Sequence, residues 1–197
     1  MAALPRQTPD GTTSHSTRSA KDTDQVAGYD AIAALRESLQ HDRLALEQDF
    51  LQHCSAARLL KAHSRLIDQY LHRVWQQLAM PSNISLVAVG GYGRNELYPK
   101  SDIDLLILLD AEPDAVLQQK LHNLISLLWD IGMEVGHSIR TLAQCLTESA
   151  DITVQTNLLE ARLVCGNKKL FDELQHTMQQ HLDPCKFFLA KQHEQQQ

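Results

Sequence analysis

Residues 90–104 read "GGYGRNELYPKSDID". Asp102 and Asp104 sit one residue apart at the head of the apolar run "DIDLLILLD" (102–110), where a buried strand wants Val, Ile and Leu. In an extended strand, residues i and i+2 project from one face, with Cα atoms roughly 7 Å apart. Two ionised carboxylates held that close repel, and burying them unpaired is costly. A divalent cation relieves both problems. Carboxylate oxygens suit Mg²⁺, which also keeps waters and binds substrate phosphates. Two such ions about 4 Å apart, bridged by carboxylates, suit an in-line displacement at phosphorus. The alternative is that Asp102 caps the strand and Asp104 meets an arginine.

The glycines upstream add a second half to the pattern. Gly90 and Gly91 end an apolar run, so backbone can approach a bulky anion with no Cβ in the way. A short helix after them would turn free N–H groups toward a phosphate. Arg94 supplies a fork able to hold phosphate through two bonds. Ser101, just before the first aspartate, either donates to a phosphate or caps the strand. Two better-known phosphate loops are excluded. A Walker loop needs Gly-Lys-Ser/Thr, and Gly93 is followed by Arg94-Asn95; a dinucleotide fingerprint needs glycine three residues after Gly93, where Glu96 stands.

These residues need elements to hold them. "ISLVAV" (84–89) reads as a buried strand, "DIDLLILLD" (102–110) as a second and "MEVGHSIR" (133–140) as a third, weakened at Gly136. "PDAVLQQKLHNLISLLWD" (113–130) is helical between the last two. Residues 29–80 repeat apolar positions at helical spacing with no glycine or proline, which predicts two or three amphipathic helices. Beyond residue 140 the chain reads as helical throughout. Thr141 caps one helix, Asp151 caps another running to Gly166, a third ends near His181 and Pro184 opens the last. The expected organisation is a disordered tail over 1–27, a helical segment over 28–80 and an α/β domain over 81–197.

Bulk properties bound the class. The 197 residues are 43% hydrophobic and 21% charged, as in soluble globular proteins. A net charge of −6 argues against a general grip on nucleic acid. Cys54, Cys145, Cys165 and Cys185 are widely spaced, with no zinc-like pattern, and read as free thiols. No apolar stretch is long enough for a membrane span, and the first residues lack the apolar core of a secretory signal. A cytoplasmic protein is expected.

A glycine pair, a short loop and D-h-D on a strand together resemble the DNA polymerase β-like nucleotidyltransferase superfamily. The string "GGYGRNELYPKSDIDLLILL" is similar to one branch, the bifunctional uridylyltransferase/uridylyl-removing enzymes of the PII nitrogen-signalling protein. "WDIGMEVGHSIRT" and "DITVQTNLLEARLVCGNKKLF" resemble that family's downstream segments. The resemblance implies an α+β core, with a small mixed sheet flanked by helices. It implies transfer of UMP from UTP to a tyrosine of PII with release of pyrophosphate, with two Mg²⁺ ions. Asp102 and Asp104 would bind the metals, and Gly90, Gly91, Arg94 and Ser101 the nucleotide. The chemistry asks for a third carboxylate on the neighbouring strand: Glu134, with Asp130 as the rival. Arg140 and Arg162 read as salt-bridge partners, with phosphate contact as the alternative. His137 reads as a buried histidine or a cleft residue, and Tyr92 as buried or stacked on a base. UMP removal and glutamine sensing would belong to hydrolase and ACT domains not found in these residues, since His41-Asp42 sits unsupported in a helical pattern. Transfer by the chain alone is accordingly expected to be weak. The competing readings are a related enzyme adenylylating another target and a silent regulatory module.

Overall fold

The computed structural model describes residues 18–194. Two long helices, α1 (Arg18–His53) and α2 (Ala56–Gln77), precede the first strand, β1 (Ile84–Ala88). A single turn of helix, α3 (Gly90–Gly93), leads through a loop to β2 (Ile103–Leu109), then α4 (Ala115–Asp130) and β3 (Val135–Thr141). The chain continues through α5 (Leu142–Glu148), α6 (Ile152–Leu159), β4 (Arg162–Gly166), α7 (Lys168–His181) and α8 (Pro184–Glu194). The caps expected at Thr141 and Asp151 are present. Thr141 and Gln144 form a reciprocal box, and Asp151 accepts from the N–H groups of Thr153 and Val154.

The sheet order is β3-β2-β1-β4, with β1 antiparallel to both neighbours and β3 parallel to β2. Period-2 alternation splits its side chains between two cores. Ile103, Leu105, Ile107 and Leu109 of β2 pack with α1, α2 and α4. Leu106 and Leu108, with Val87 of β1, pack under α5, α6 and α7. Asp104 belongs to this second face by its parity. It stands at the end of β2 that the helices leave uncovered.

Three expectations change. Residues 151–166 do not form one helix: α6 stops at Leu159, and Arg162–Gly166 form β4. The reason is the free edge of β1, which the run "RLVCG" satisfies by antiparallel pairing. Gly166 is needed there as a strand residue at φ +100, where a Cβ would lie 2.3 Å from Ile84 O, and not as a helix cap. The boundary expected near residue 27 falls inside α1, whose residues Arg18–His53 contain no proline to break the helix; residues 1–17 lie outside the described residues. Glu134 precedes β3 instead of lying within it, since the parallel ladder begins at the Ile103–Val135 pair.

One polar network ties the helical layer to the sheet. Arg162 of β4 donates to both carboxylate oxygens of Asp68 on α2, at 2.9 and 3.0 Å. The buried Tyr92 hydroxyl donates to the same carboxylate, and the Arg162 guanidinium lies 5.2 Å from the Tyr92 ring centre. Burial first, then the Asp68 charge, push the Tyr92 phenol far above its ordinary range. Tyr92 is therefore an anchor for the turn that contains Gly90 and Gly91, and does not stack on a base. Asp68→Ala removes the acceptor of both partners and is expected to cost about 2 kcal/mol of stability, measured by chemical denaturation. Tyr92→Phe keeps the packing and should cost less. Equal losses would mean that the Arg162 pair contributes nothing.

Candidate active site

Asp104 is placed by backbone that carries no side chain on either flank. Its partner across the parallel ladder is Gly136, where a Cβ would lie 2.8 Å from Asp104 Oδ1. On the other side, a Cβ on Gly90 would lie 3.6 Å from Asp104 Oδ2. Any other residue at 136 would push the carboxylate away. Glycine inside a strand often marks such a close approach, and that was the available signal for Gly136. Gly90 also has φ +58, which favours glycine independently.

Among the described residues neither Asp102 nor Asp104 has a side-chain hydrogen bond or ion pair. Partial burial, and then the charge of Asp102, raise the Asp104 pKa above its ordinary value. An arginine partner for Asp104, the structural alternative, is not present among the described residues. Two like charges without a partner, flanked by bare backbone, are a donor set that fits a hard divalent cation whose other ligands are water and phosphate oxygens.

The Gly90-Gly91 turn lies next to Asp104. Val89 is extended, Gly90 opens α3, and Val89 N–H donates to Asp104 O at 3.1 Å. Gly91 has only ordinary contacts for an added Cβ, 3.5 Å from Glu96 O and 3.8 Å from Arg94 Nη2. Nothing inside the fold therefore demands glycine at 91. Gly93 differs, because a Cβ there would lie 2.4 Å from Glu160 O. It is a packing glycine between α3 and the end of α6, which sequence reasoning did not single out.

The remaining expected residues fall in different places. Arg94 is engaged by Glu96 and Glu160. Ser101 Oγ donates to Tyr98 O at 3.0 Å and borders a cleft with Arg43, Lys100 and Glu134, apart from the one that holds Asp104. Glu134 also borders a cleft of about 540 Å³ with Asp102 and Gly136. Its charge opposes the effect of burial on Arg43. The three acids do not gather into one cluster among the described residues. Asp130 forms no acid cluster with the pair among the described residues, and its backbone carbonyl at the exposed end of α4 accepts from the Arg36 guanidinium. His137 is exposed, not buried; it lines the cleft that holds Asp104 and meets Trp129 edge-on at 6.3 Å. Arg140 pairs with Glu148 and Arg162 with Asp68, both as salt bridges. Asp42, of the His41-Asp42 dipeptide, accepts the Tyr70 hydroxyl between α1 and α2.

Asp104 opens onto a cleft of about 260 Å³ lined also by Gly136, Ser138, Arg140 and Asn157. Ser138 and Asn157 are additions from the structure. Ser138 is found by counting along β3 from Gly136, whereas Asn157 lies in a helical segment with no pattern to mark it.

Residues 70–155 match the nucleotidyltransferase domain family. The bifunctional uridylyltransferase/uridylyl-removing enzyme of Nitrosospira multiformis is 48% identical over 171 residues, 83% of this chain and 19% of that protein. This chain is a homologue of the uridylyltransferase/uridylyl-removing enzymes. That of Cupriavidus pinatubonensis is 48% identical over 81% of the chain and 18% of its own length, and that of Pseudomonas aeruginosa 45% over 84% and 19%. The chain thus spans about a fifth of the length of these relatives. Its nucleotidyltransferase domain holds the glycine turn and the aspartate pair together. No described helix is long and apolar enough to cross a membrane.

The raised pKa of Asp104 has a definite sign for stability. The folded state holds the proton more tightly than the unfolded chain, so ionisation weakens the fold. That loss appears as pH rises from the ordinary carboxylate range through the raised value. Asp104→Asn is therefore expected to raise the metal-free melting temperature at neutral pH, with the gain fading as pH falls through the raised value and lost below about 4. A gain that persists unchanged in acid would rule out charge as its cause.

Proposed function

We propose that this domain transfers UMP from UTP to a tyrosine hydroxyl of the PII signalling protein, releasing pyrophosphate. The observation that carries the proposal is the unpaired aspartate pair set against the Gly90-Gly91 turn, in a chain whose relatives bear the name uridylyltransferase. In the reaction the phenolic oxygen forms a bond to the α-phosphorus, the bond between the α-phosphorus and the α,β-bridging oxygen breaks, and pyrophosphate leaves with that oxygen. The phenolic proton passes to a nearby base. Asp102 and Asp104 would hold Mg²⁺, proposed as two ions, which would supply Lewis-acid stabilisation of the charge on phosphorus. Glu134 is proposed as the third carboxylate, bordering the Asp102 cleft and available to accept the phenolic proton. The N–H groups at the start of α3 and the Arg94 fork are proposed to receive the β- and γ-phosphates, and Ser101 to border their path. The proposed setting is the cytoplasm, with PII as protein substrate. The domain's own residues are proposed to carry neither UMP removal nor glutamine sensing, which the family assigns to other segments.

Label supplied in the α-phosphate of UTP should appear on purified PII with Mg²⁺, and label in the γ-phosphate should not. Asp102→Asn and Asp104→Asn should each reduce transfer about 100-fold or more without unfolding the chain. Full transfer by either variant would remove the metal assignment. Label on PII from ATP in preference to UTP would point instead to adenylylation.

Gly91→Val tests the cradle. The valine methyls would occupy the space over the α3 N–H groups, so UTP binding should fall by about tenfold or more, beyond any change in melting temperature. Unaltered UTP affinity would mean that Gly91 serves only the turn.

A further inference from the structure

The cleft beside Asp104 carries polar groups that the proposed reaction leaves without a task. Asn157 stands on α6 and Ser138 on β3, both lining the 260 Å³ cleft. Arg140, in the same cleft, is committed to Glu148 at 2.6 Å. Neither Asn157 nor Ser138 has a side-chain hydrogen-bond partner among the described residues. Asn157 is half-buried, and its Oδ1 lies 3.5 Å from the point a Cβ would take on Gly90. Asp104 Oδ2 lies 3.6 Å from the same point. The amide and the carboxylate thus flank the head of the phosphate turn together.

The chemistry of the amide narrows what it meets. A carboxamide offers one acceptor and two donor hydrogens side by side, without charge. It neither competes for a cation nor repels a triphosphate. With the α-phosphorus beside Asp102 and Asp104, the next group along a nucleotide is the sugar, bonded to that phosphorus through its 5′ oxygen. The base lies a whole furanose ring further on. Ribose presents two adjacent hydroxyls, each both donor and acceptor, which match the amide and the Ser138 hydroxyl. The cleft is smaller than the roughly 300–1,000 Å³ of sites that enclose a complete ligand, and suits a fragment of sugar size.

We infer that Asn157, with Ser138 beside it, binds the ribose hydroxyls of the nucleotide and selects ribonucleotides over 2′-deoxyribonucleotides. The inference rests on the nucleotidyl-transfer reading above. It assigns base choice elsewhere, so Asn157 discriminates sugar and not uracil.

Titration calorimetry of the 197-residue chain with UTP and 2′-deoxy-UTP, both with Mg²⁺, tests it. The unaltered chain should bind UTP about tenfold more tightly. Asn157→Ala should bring UTP down to the 2′-deoxy-UTP level and leave the latter unchanged. Because Asn157 has no side-chain partner among the described residues, the melting temperature of Asn157→Ala should hold. Ser138→Ala should reduce the preference in part, and supplies an independent variant if the first fails to fold. Equal weakening of both nucleotides by Asn157→Ala, an undiminished preference in both variants, or no preference in the unaltered chain would each overturn the inference. Binding of neither nucleotide by the unaltered chain would instead overturn the nucleotidyl-transfer reading itself.

Discussion

Two neighbouring carboxylates, Asp102 just before β2 and Asp104 within it, with no side-chain cation paired to them among the described residues, set the terms for the rest of this structure. A fold that only had to be stable would place an arginine beside Asp104 or replace the pair with apolar residues. Here burial and the neighbouring charge instead hold the Asp104 proton more tightly than usual. The fold thereby stores an unfavourable interaction at one end of β2, and a bound cation with its phosphate ligands would relieve it.

The surrounding elements are arranged so that this strain stays at one place. β2 is otherwise closed on both faces, with Leu105 and Ile107 under α2 and α4, and Leu106 and Leu108 under α5 to α7. The uncovered end is the end that carries the aspartates. Gly136 and Gly90 keep the backbone close to Asp104 without filling the cleft. The α3 turn is fixed from behind by Tyr92, Asp68 and Arg162, a network that spans α2, α3 and β4. A rigid scaffold with a frustrated carboxylate pair at its mouth is the usual compromise between stability and a binding site. It also gives the N-terminal helices a defined part: Asp68 on α2 holds the turn from the side opposite the cleft.

The glycine–aspartate constellation was legible in the sequence because it breaks local rules. Glycines where a strand should continue, and acids where it should be apolar, have few structural explanations. The β1, β2, α4 and α7 segments followed from periodicity, and the caps at Thr141 and Asp151 from residue type. β4 was not legible. "ARLVC" follows a helix without a proline, and only the unpaired edge of β1, a tertiary fact, makes it a strand. The network of Asp68, Tyr92 and Arg162 was hidden for the same reason, since its members are far apart in the chain. Glu134 was noticed as a charge among apolar residues, but its relation to Asp102 and to Arg43 depends on where the parallel ladder begins. Asn157 broke no rule at all: a polar residue in a short amphipathic helix is ordinary until the helix is seen to stand against Gly90.

The account's central claim is that Asp102 and Asp104 form a divalent-cation site that works on a nucleoside triphosphate. A crystal structure of the chain with Mn²⁺ and a non-hydrolysable UTP analogue tests it most directly, because manganese is located by its anomalous scattering. The account predicts a manganese peak bound by both aspartates and by a phosphate oxygen of the analogue, with the triphosphate against the Gly90-Gly91 turn. Manganese bound elsewhere, or a triphosphate seated away from both aspartates, would contradict it.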